Sequence, residues 1–239
     1  MHVNLPIYGS DQIYRVQPQK IIALGMNYRA HVAEAESLKV KSINTDIPAE
    51  PILFAKTSNV LIANGDTIII PAALQKYAFD SIRADYEAEL AFIISRTVKH
   101  IKQSEAFDYI LGFTCMNDVS ERNLQSQDKS GWFRGKSLDT FGPIGPQLVY
   151  TEDIGDAQNL NIECRLNSKI VQQSNTSNMI FSIPEMLEFI TRWITLEEGD
   201  VISTGTPAGV GPLHNGDEVE VEIEKIGVLS NLVKNEIED

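Results

Sequence analysis

The stretch "ADYEAELAFII", residues 84–94, decides the fold. Asp85, Glu87 and Glu89 alternate with Tyr86, Ala88 and Leu90, and the chain is then wholly apolar through Ala91, Phe92, Ile93 and Ile94. A period of two belongs to a strand, whose successive side chains point to opposite faces. The expectation is a strand running into a core with three acids on one face. On spacing alone two explanations stand. The acids line a solvated outer face, or they share a hard divalent cation, because i, i+2 spacing lets one strand offer two oxygen ligands from one face. Asp118, at the end of a second expected strand "LGFTCMND", could supply a third ligand. Three acids around Mg2+ leave coordination positions open for water or a chelating substrate.

Outward from this strand the pattern predicts a mainly β protein. "KIIALGMNY", residues 20–28, reads as a buried strand ending at Gly25, and "YRAHVAEAESLK" as a short helix. The segment from Lys39 to Glu50 reads as a loop. "PILFAK" and "DTIIIP" read as strands on either side of the turn signal Asn64-Gly65. "KQSEAFDYI" reads as a helix, the polar run from Val119 to Gly135 as too hydrophilic for a core, and "GKSLDTFGPIGPQLV" as a tight loop. "NIECRLNSKIVQQS" predicts a hairpin turning at Asn167 and Ser168. Ser182, Pro184 and Glu185 give the capping-box start of a helix to about Trp193. "GDVISTGTP" and "DEVEVEIEKIG" read as closing strands. No repeat or linker is visible, so residues 20–239 are expected to form one domain, with 1–19 a short N-terminal segment.

The chain has 239 residues, of which 43% are hydrophobic, enough for a sizeable core. Its formal charge of -13 opposes binding to a phosphate backbone, so nucleic acid is not an expected partner. No apolar run reaches a membrane span, the N-terminal stretch lacks signal-peptide character, and Cys115 and Cys164 have neither disulfide-framework nor metal-finger spacing. These features point to the cytoplasm.

His31 and Glu34 lie three apart in the first expected helix and share a face, so the carboxylate can hold and polarise the imidazole. A surface pair is the plainer reading of that spacing. "FRGKS" has the end of a phosphate loop, but Ser130 stands where such a loop needs Gly. "GTPAGVG", residues 205–211, is either an anion-wrapping loop or a turn, and it lacks dinucleotide spacing. Arg122, Arg134 and Lys136 fall in the polar run, where a solvated loop would account for them.

Taken together, "GMNYRAHVAE", "DYEAELAFII", "GFTCMNDVSERNLQ", "GKSLDTFGPIGP" and "SNMIFSIPEMLEFITRWITLEEGDVISTGTPAGVG" resemble the fumarylacetoacetate hydrolase family, in the family's order and from about Lys20 to the last strand. The resemblance implies an α+β, mainly β fold, a mixed β-sandwich roll with a few peripheral helices, assembled as a homodimer. It implies Mg2+ or Mn2+ held by Glu87, Glu89 and Asp118, with Asp85 outside the ligand set. His31 and Glu34 match a water-activating pair on a lid spanning Tyr28 to Glu50 that orders when substrate binds. Lys136 matches a basic residue facing the substrate, and Arg122, Gln125 and Thr206 match positions lining its pocket. Thr57 replaces the family's Pro after "FAK", and Met26 replaces an Arg of some acylpyruvase members.

The implied reaction is metal-dependent hydrolysis of a C–C bond in an anionic 2-oxo acid, an acylpyruvate such as acetylpyruvate or fumarylpyruvate. The leaving group is a pyruvate enolate, whose charge needs a Lewis acid. Oxaloacetate decarboxylation and 2-hydroxyhepta-2,4-diene-1,7-dioate isomerisation need the same enolate chemistry and stay open as alternatives. So does a metal- or ligand-binding protein without catalysis.

Overall fold

The structure, a computed structural model, describes residues 2–37, 47–129 and 131–237. Two mixed sheets form its frame. The larger has seven strands in the order Ile52–Lys56, Ile21–Gly25, Val201–Ser203, Ala88–Ile94, Ile110–Asn117, Gly142–Tyr150 and Leu61–Ile62. The other has five, in the order Lys169–Asn175, Asn161–Leu166, Glu218–Ile223, Gly227–Asn235 and Thr67–Ile70. Most neighbours are antiparallel, but Ile21–Gly25 with Val201–Ser203, Leu61–Ile62 with Gly142–Tyr150, and Thr67–Ile70 with Gly227–Asn235 run parallel. Among the described residues no helix is long and apolar enough to cross a membrane.

The acidic stretch lies at the centre of this frame, but not as one strand. It breaks at Glu87: Ala84–Tyr86 joins a small three-stranded sheet with Ser120–Glu121 and Gly211–Pro212, while Ala88–Ile94 enters the seven-stranded sheet. The expected solvated alternative also fails, because every residue from Ala84 to Ile94 is buried. The apolar end has a simple cause. Leu90, Phe92 and Ile94 pack into the main core, whereas Ala91 and Ile93 pack into a second core on the other face with Val3, Leu5 and Met116. A strand covered on both faces loses its alternation and reads as a continuous apolar run. The N-terminal hairpin Val3–Pro6 and Ile13–Val16 lays Val3, Leu5 and Val16 into that second core.

The helices Arg29–Ser37 and Ile183–Trp193 form as expected, the latter with the Ser182–Glu185 capping box. The expected loop from Lys39 to Glu50 lies largely outside the described residues. Three expectations need correction. The segment Gln103–Tyr109 is a 3-10 helix, closed by i to i+3 bonds. The polar run from Val119 is only partly solvated: it forms Ser120–Glu121 and the short helices Arg122–Gln127 and Phe133–Lys136, and buries Glu121, Gln125 and Lys136, while Gln127, Phe133 and Arg134 stay exposed. Glu121 caps Arg122–Gln127 through the Leu124 N–H at 2.6 Å, while Arg122 and Lys136 pair with acids outside the run. Within the expected loop at 135–149, Gly142–Tyr150 is a strand. It tolerates its prolines because its pairing with Ile110–Asn117 skips between Gly145 and Val149, where Pro146 sits.

Candidate active site

Glu87, Glu89 and Asp118 meet where the central strand begins. Each offers a carboxylate oxygen within 4.8 Å of the others, and all three side chains are buried. The backbone sets this up. The Glu87 N–H donates to Asn117 Oδ1 at 2.9 Å, the Asp118 N–H donates to the Glu87 carbonyl at 2.9 Å, and the register places Glu89 opposite Met116. Glu89 Oε2 accepts from Ser203 Oγ at 2.6 Å and from the Gly205 N–H at 2.8 Å. The break at Glu87 therefore turns the strand's acids towards the end of the neighbouring strand.

Two buried lysines and the half-buried Arg122 surround the triad. Lys136 Nζ bridges Glu87 Oε2 and Asp118 Oδ2, each at 2.6 Å. Lys56 Nζ lies 2.6 Å from Asp118 Oδ1. Arg122 donates through Nε to Asp85 Oδ2 at 2.9 Å, through Nη1 to Gln125 Oε1 at 3.0 Å, and through Nη2 to Glu87 Oε1. Asp85 also accepts from Arg83 and stands outside the triad.

The charges do not balance evenly. Burial alone would raise Glu87, but Arg122 and Lys136 outweigh it and hold its carboxyl well below the usual range. Glu89 goes the other way, pushed well above the usual range by burial and then by Asp118 and Glu87. Burial lowers the Lys56 ammonium despite Asp118, while at Lys136 the pull of Asp118 and Glu87 overcomes burial and raises it. With Asp85 there are four buried acids, against two buried lysines and the partly exposed Arg122, while Arg83 also pairs with Asp85. A set of three convergent carboxylates, one of them short of positive charge, fits a hard divalent cation.

The His31–Glu34 pair forms one wall. His31 Nδ1 is 3.1 Å from Glu34 Oε2, and the Glu34 carboxylate also accepts from the Gly209 N–H at 3.0 and 3.1 Å. Burial raises Glu34, but the hydrogen bonds from His31 and Gly209, together with the nearby positive charge, outweigh it and its pKa is lowered. An ionised carboxylate can only accept, so Nδ1 carries the hydrogen of this contact, and in the neutral tautomer the lone pair is then on Nε2. The helix start is thus docked at the site, where the sequence suggested an open lid; most of the remaining lid segment lies outside the described residues.

His31, Glu87, Glu89, Arg122, Gln125, Lys136 and Thr206 line one pocket of about 300 Å³ including its mouth, together with Leu24, Gly25, Met26 and Trp132. Asp118 and Glu34 sit behind this lining, in contact with Lys136 and His31. Thr206 Oγ1 accepts from Gln172 Nε2 at 2.9 Å, and Gln172 Oε1 in turn accepts from the Ala88 N–H. Sequence reasoning missed Lys56, whose only local signal is a lysine closing an apolar strand, and it missed Trp132. It also gave Met26 no special backbone, yet Met26 has φ +59 and is buried. Non-glycine residues adopt that region rarely and often at functional sites.

A mixed β roll thus brings a buried carboxylate triad and an imidazole together at one pocket. The chain belongs to the fumarylacetoacetate hydrolase family: residues 20–234 match the fumarylacetoacetate (FAA) hydrolase C-terminal model. It is 50% identical to an uncharacterized protein of Methanocaldococcus jannaschii, over 98% of this chain and 91% of that protein. It is 39% identical to the mitochondrial oxaloacetate tautomerase Fahd2a of Rattus norvegicus, over 96% of this chain and 72% of that protein. Two crystal structures share the roll. The 2-hydroxyhepta-2,4-diene-1,7-dioate isomerase of Mycobacterium marinum is 33% identical with TM-score 0.79, over 95% and 79% of the two chains. The fumarylpyruvate hydrolase of Pseudomonas aeruginosa, in complex with Mn2+ and pyruvate, is 28% identical with TM-score 0.82, over 98% and 97%.

Proposed function

We propose that the chain is a divalent-cation-dependent enzyme that moves protons on a small 2-oxo acid, and that its reaction is keto–enol tautomerisation of oxaloacetate. The observation that carries this reading is the opening of the His31 imidazole and the carboxylates Glu87 and Glu89 onto one small pocket. The likeness to an oxaloacetate tautomerase supports the substrate. Glu87, Glu89 and Asp118 would hold Mg2+ or Mn2+, and such a cation supplies positive charge for the substrate's carboxylate and 2-oxo oxygens and so lowers the cost of an enolate.

The chain's own residues do the rest. His31 Nε2 takes a proton from C3 of the keto form, and a proton returned to the C2 oxygen completes the enol; the reverse order runs the reaction back. Glu34, held by the Gly209 N–H, keeps the imidazole oriented and stabilises it while protonated. Lys136 places an ammonium beside the charge that develops on C2 oxygen, and Gln125 and Thr206 offer hydrogen bonds to the substrate carboxylate. Trp132 and Leu24 exclude water from the apolar side.

Hydrolysis of acylpyruvates is the second reading, favoured by the same pair acting on water and by the likeness to a fumarylpyruvate hydrolase. In it His31 takes the proton of a water that attacks the distal carbonyl. A binding protein without catalysis has no use for a base so oriented. We also read residues 20–239 as the catalytic domain, the chain as a homodimer on the strength of the sequence resemblance, and its place as the cytoplasm, which suits two buried free thiols.

The test is kcat/KM with Mg2+ on enol-oxaloacetate, acetylpyruvate and fumarylpyruvate. Oxaloacetate tautomerisation is expected to lead by about tenfold or more. Faster cleavage of an acylpyruvate would establish the second reading, and no turnover of any of them with Mg2+ or Mn2+ would reject both.

A further inference from the structure

The pocket has a polar side and an apolar wall, and the wall is built around one ring. A Cβ added to Gly25 would lie 2.6 Å from Cζ3 and 2.9 Å from Cη2 of Trp132, so the six-membered ring of the indole occupies the space that any other residue at 25 would fill. Gly25 has no left-handed backbone to account for the absence of a side chain. Phe54 packs edge-on against the indole at 5.4 Å between ring centroids.

The indole is also tied to the polar side. The Lys136 N–H donates to the Trp132 carbonyl at 3.1 Å, so one helical turn carries the wall at its start and the ammonium at its end. Lys136 Nζ lies 4.6 Å from the centre of the Phe54 ring. Gly135, inside that turn, leaves no room to slide: a Cβ there would lie 2.7 Å from both Gln125 N and Glu121 O. The turn that carries both the indole and the ammonium is therefore held by packed backbone.

The geometry points to Trp132 as the residue that sets the length of the substrate. A 2-oxo acid whose carboxylate end lies against the triad meets the indole at its other end. Acids with short ends fit, and longer acyl chains collide with a ring that Gly25, Phe54 and the Lys136 turn hold in place. This inference rests on the reading of the site as a 2-oxo acid pocket.

The test measures binding, so it does not depend on which reaction occurs. Calorimetric titrations with Mg2+ would compare 2-oxobutanoate, 2-oxohexanoate and 2-oxooctanoate on the full chain, Trp132→Ala and Trp132→Phe. In the unaltered protein affinity should fall by about tenfold or more from the shortest to the longest acid, since misfit against an apolar wall costs about that much per group. Trp132→Ala should remove the drop, and Trp132→Phe should reduce it. The phenylalanine variant keeps a ring against Phe54 and carries the test if the alanine variant does not fold. A drop of undiminished size in the variants would overturn the inference while leaving the proposed function standing. Failure of the unaltered protein to bind any of the three acids would overturn both.

Discussion

Glu87→Gln and Asp85→Asn test the assignment of the cation site, because the two residues flank Tyr86 yet meet different partners. Glu87 is in the triad and touches Arg122 and Lys136; Asp85 touches Arg122 and Arg83. Either substitution removes one anion from a buried pair, which costs about 3–5 kcal/mol when a charge is left alone. Here the cations keep second partners, Arg122 on the remaining acid and Lys136 on Asp118, and Arg83 is 40% exposed and screened. Each variant should therefore lose about 2–3 kcal/mol in urea denaturation, less than a charge left alone would cost. Cation affinity should separate them. Glu87→Gln removes a charged ligand and should weaken Mn2+ or Mg2+ binding by about 10²-fold or more, whereas Asp85→Asn acts only through Arg122 and should cost about tenfold or less. Calorimetric titration of the cation provides the comparison. Equal losses of affinity, at similar losses of stability, would refute the assignment of Glu87 to the site and Asp85 to its support.

The other expectations concern the base, the bridging lysine and the cation itself. His31→Ala should lower acylpyruvate cleavage and oxaloacetate tautomerisation by about 10²-fold or more, and oxaloacetate decarboxylation by roughly tenfold or less, without changing cation affinity; stopped-flow rates and titrations check this. Lys136→Met should tighten cation binding by about tenfold or more while slowing turnover, because the ammonium bridges Glu87 and Asp118 and would compete with a cation for both carboxylates while repelling it. A divalent cation at about 100 times its Kd should add ~2.7 kcal/mol to stability, a rise in Tm of roughly 5–10 °C that a chelator reverses.

The sequence made the acids legible because i, i+2 spacing and a strand end are local signals, and Glu87, Glu89 and Asp118 do converge. It hid the break at Glu87, since alternation continues across a change of sheet without interruption. It hid Lys56 for a different reason: Lys56 and Asp118 are 62 positions apart, and nothing near either announces the pair. The run from Val119 to Gly135 looked solvated because composition counts charges and not partners, yet Arg122 and Lys136 are neutralised by acids from another strand. Gly and Pro concealed the strand Gly142–Tyr150, and Lys225 with φ +66 concealed the turn into a last strand, Gly227–Asn235. The His31–Glu34 pair was visible as spacing, but its grip on Gly209, 175 positions away, was not.

Exchange of the C3 hydrogens of 2-oxobutanoate with D2O, followed by proton NMR, tests the central claim most directly, because it reports formation of an enolate whether or not any bond is later cleaved. With Mg2+ or Mn2+ the protein should accelerate the exchange, EDTA should abolish the acceleration, and His31→Ala should reduce it by about 10²-fold or more. Exchange at the rate of the free cation alone, with the protein folded and the cation bound, would contradict the account.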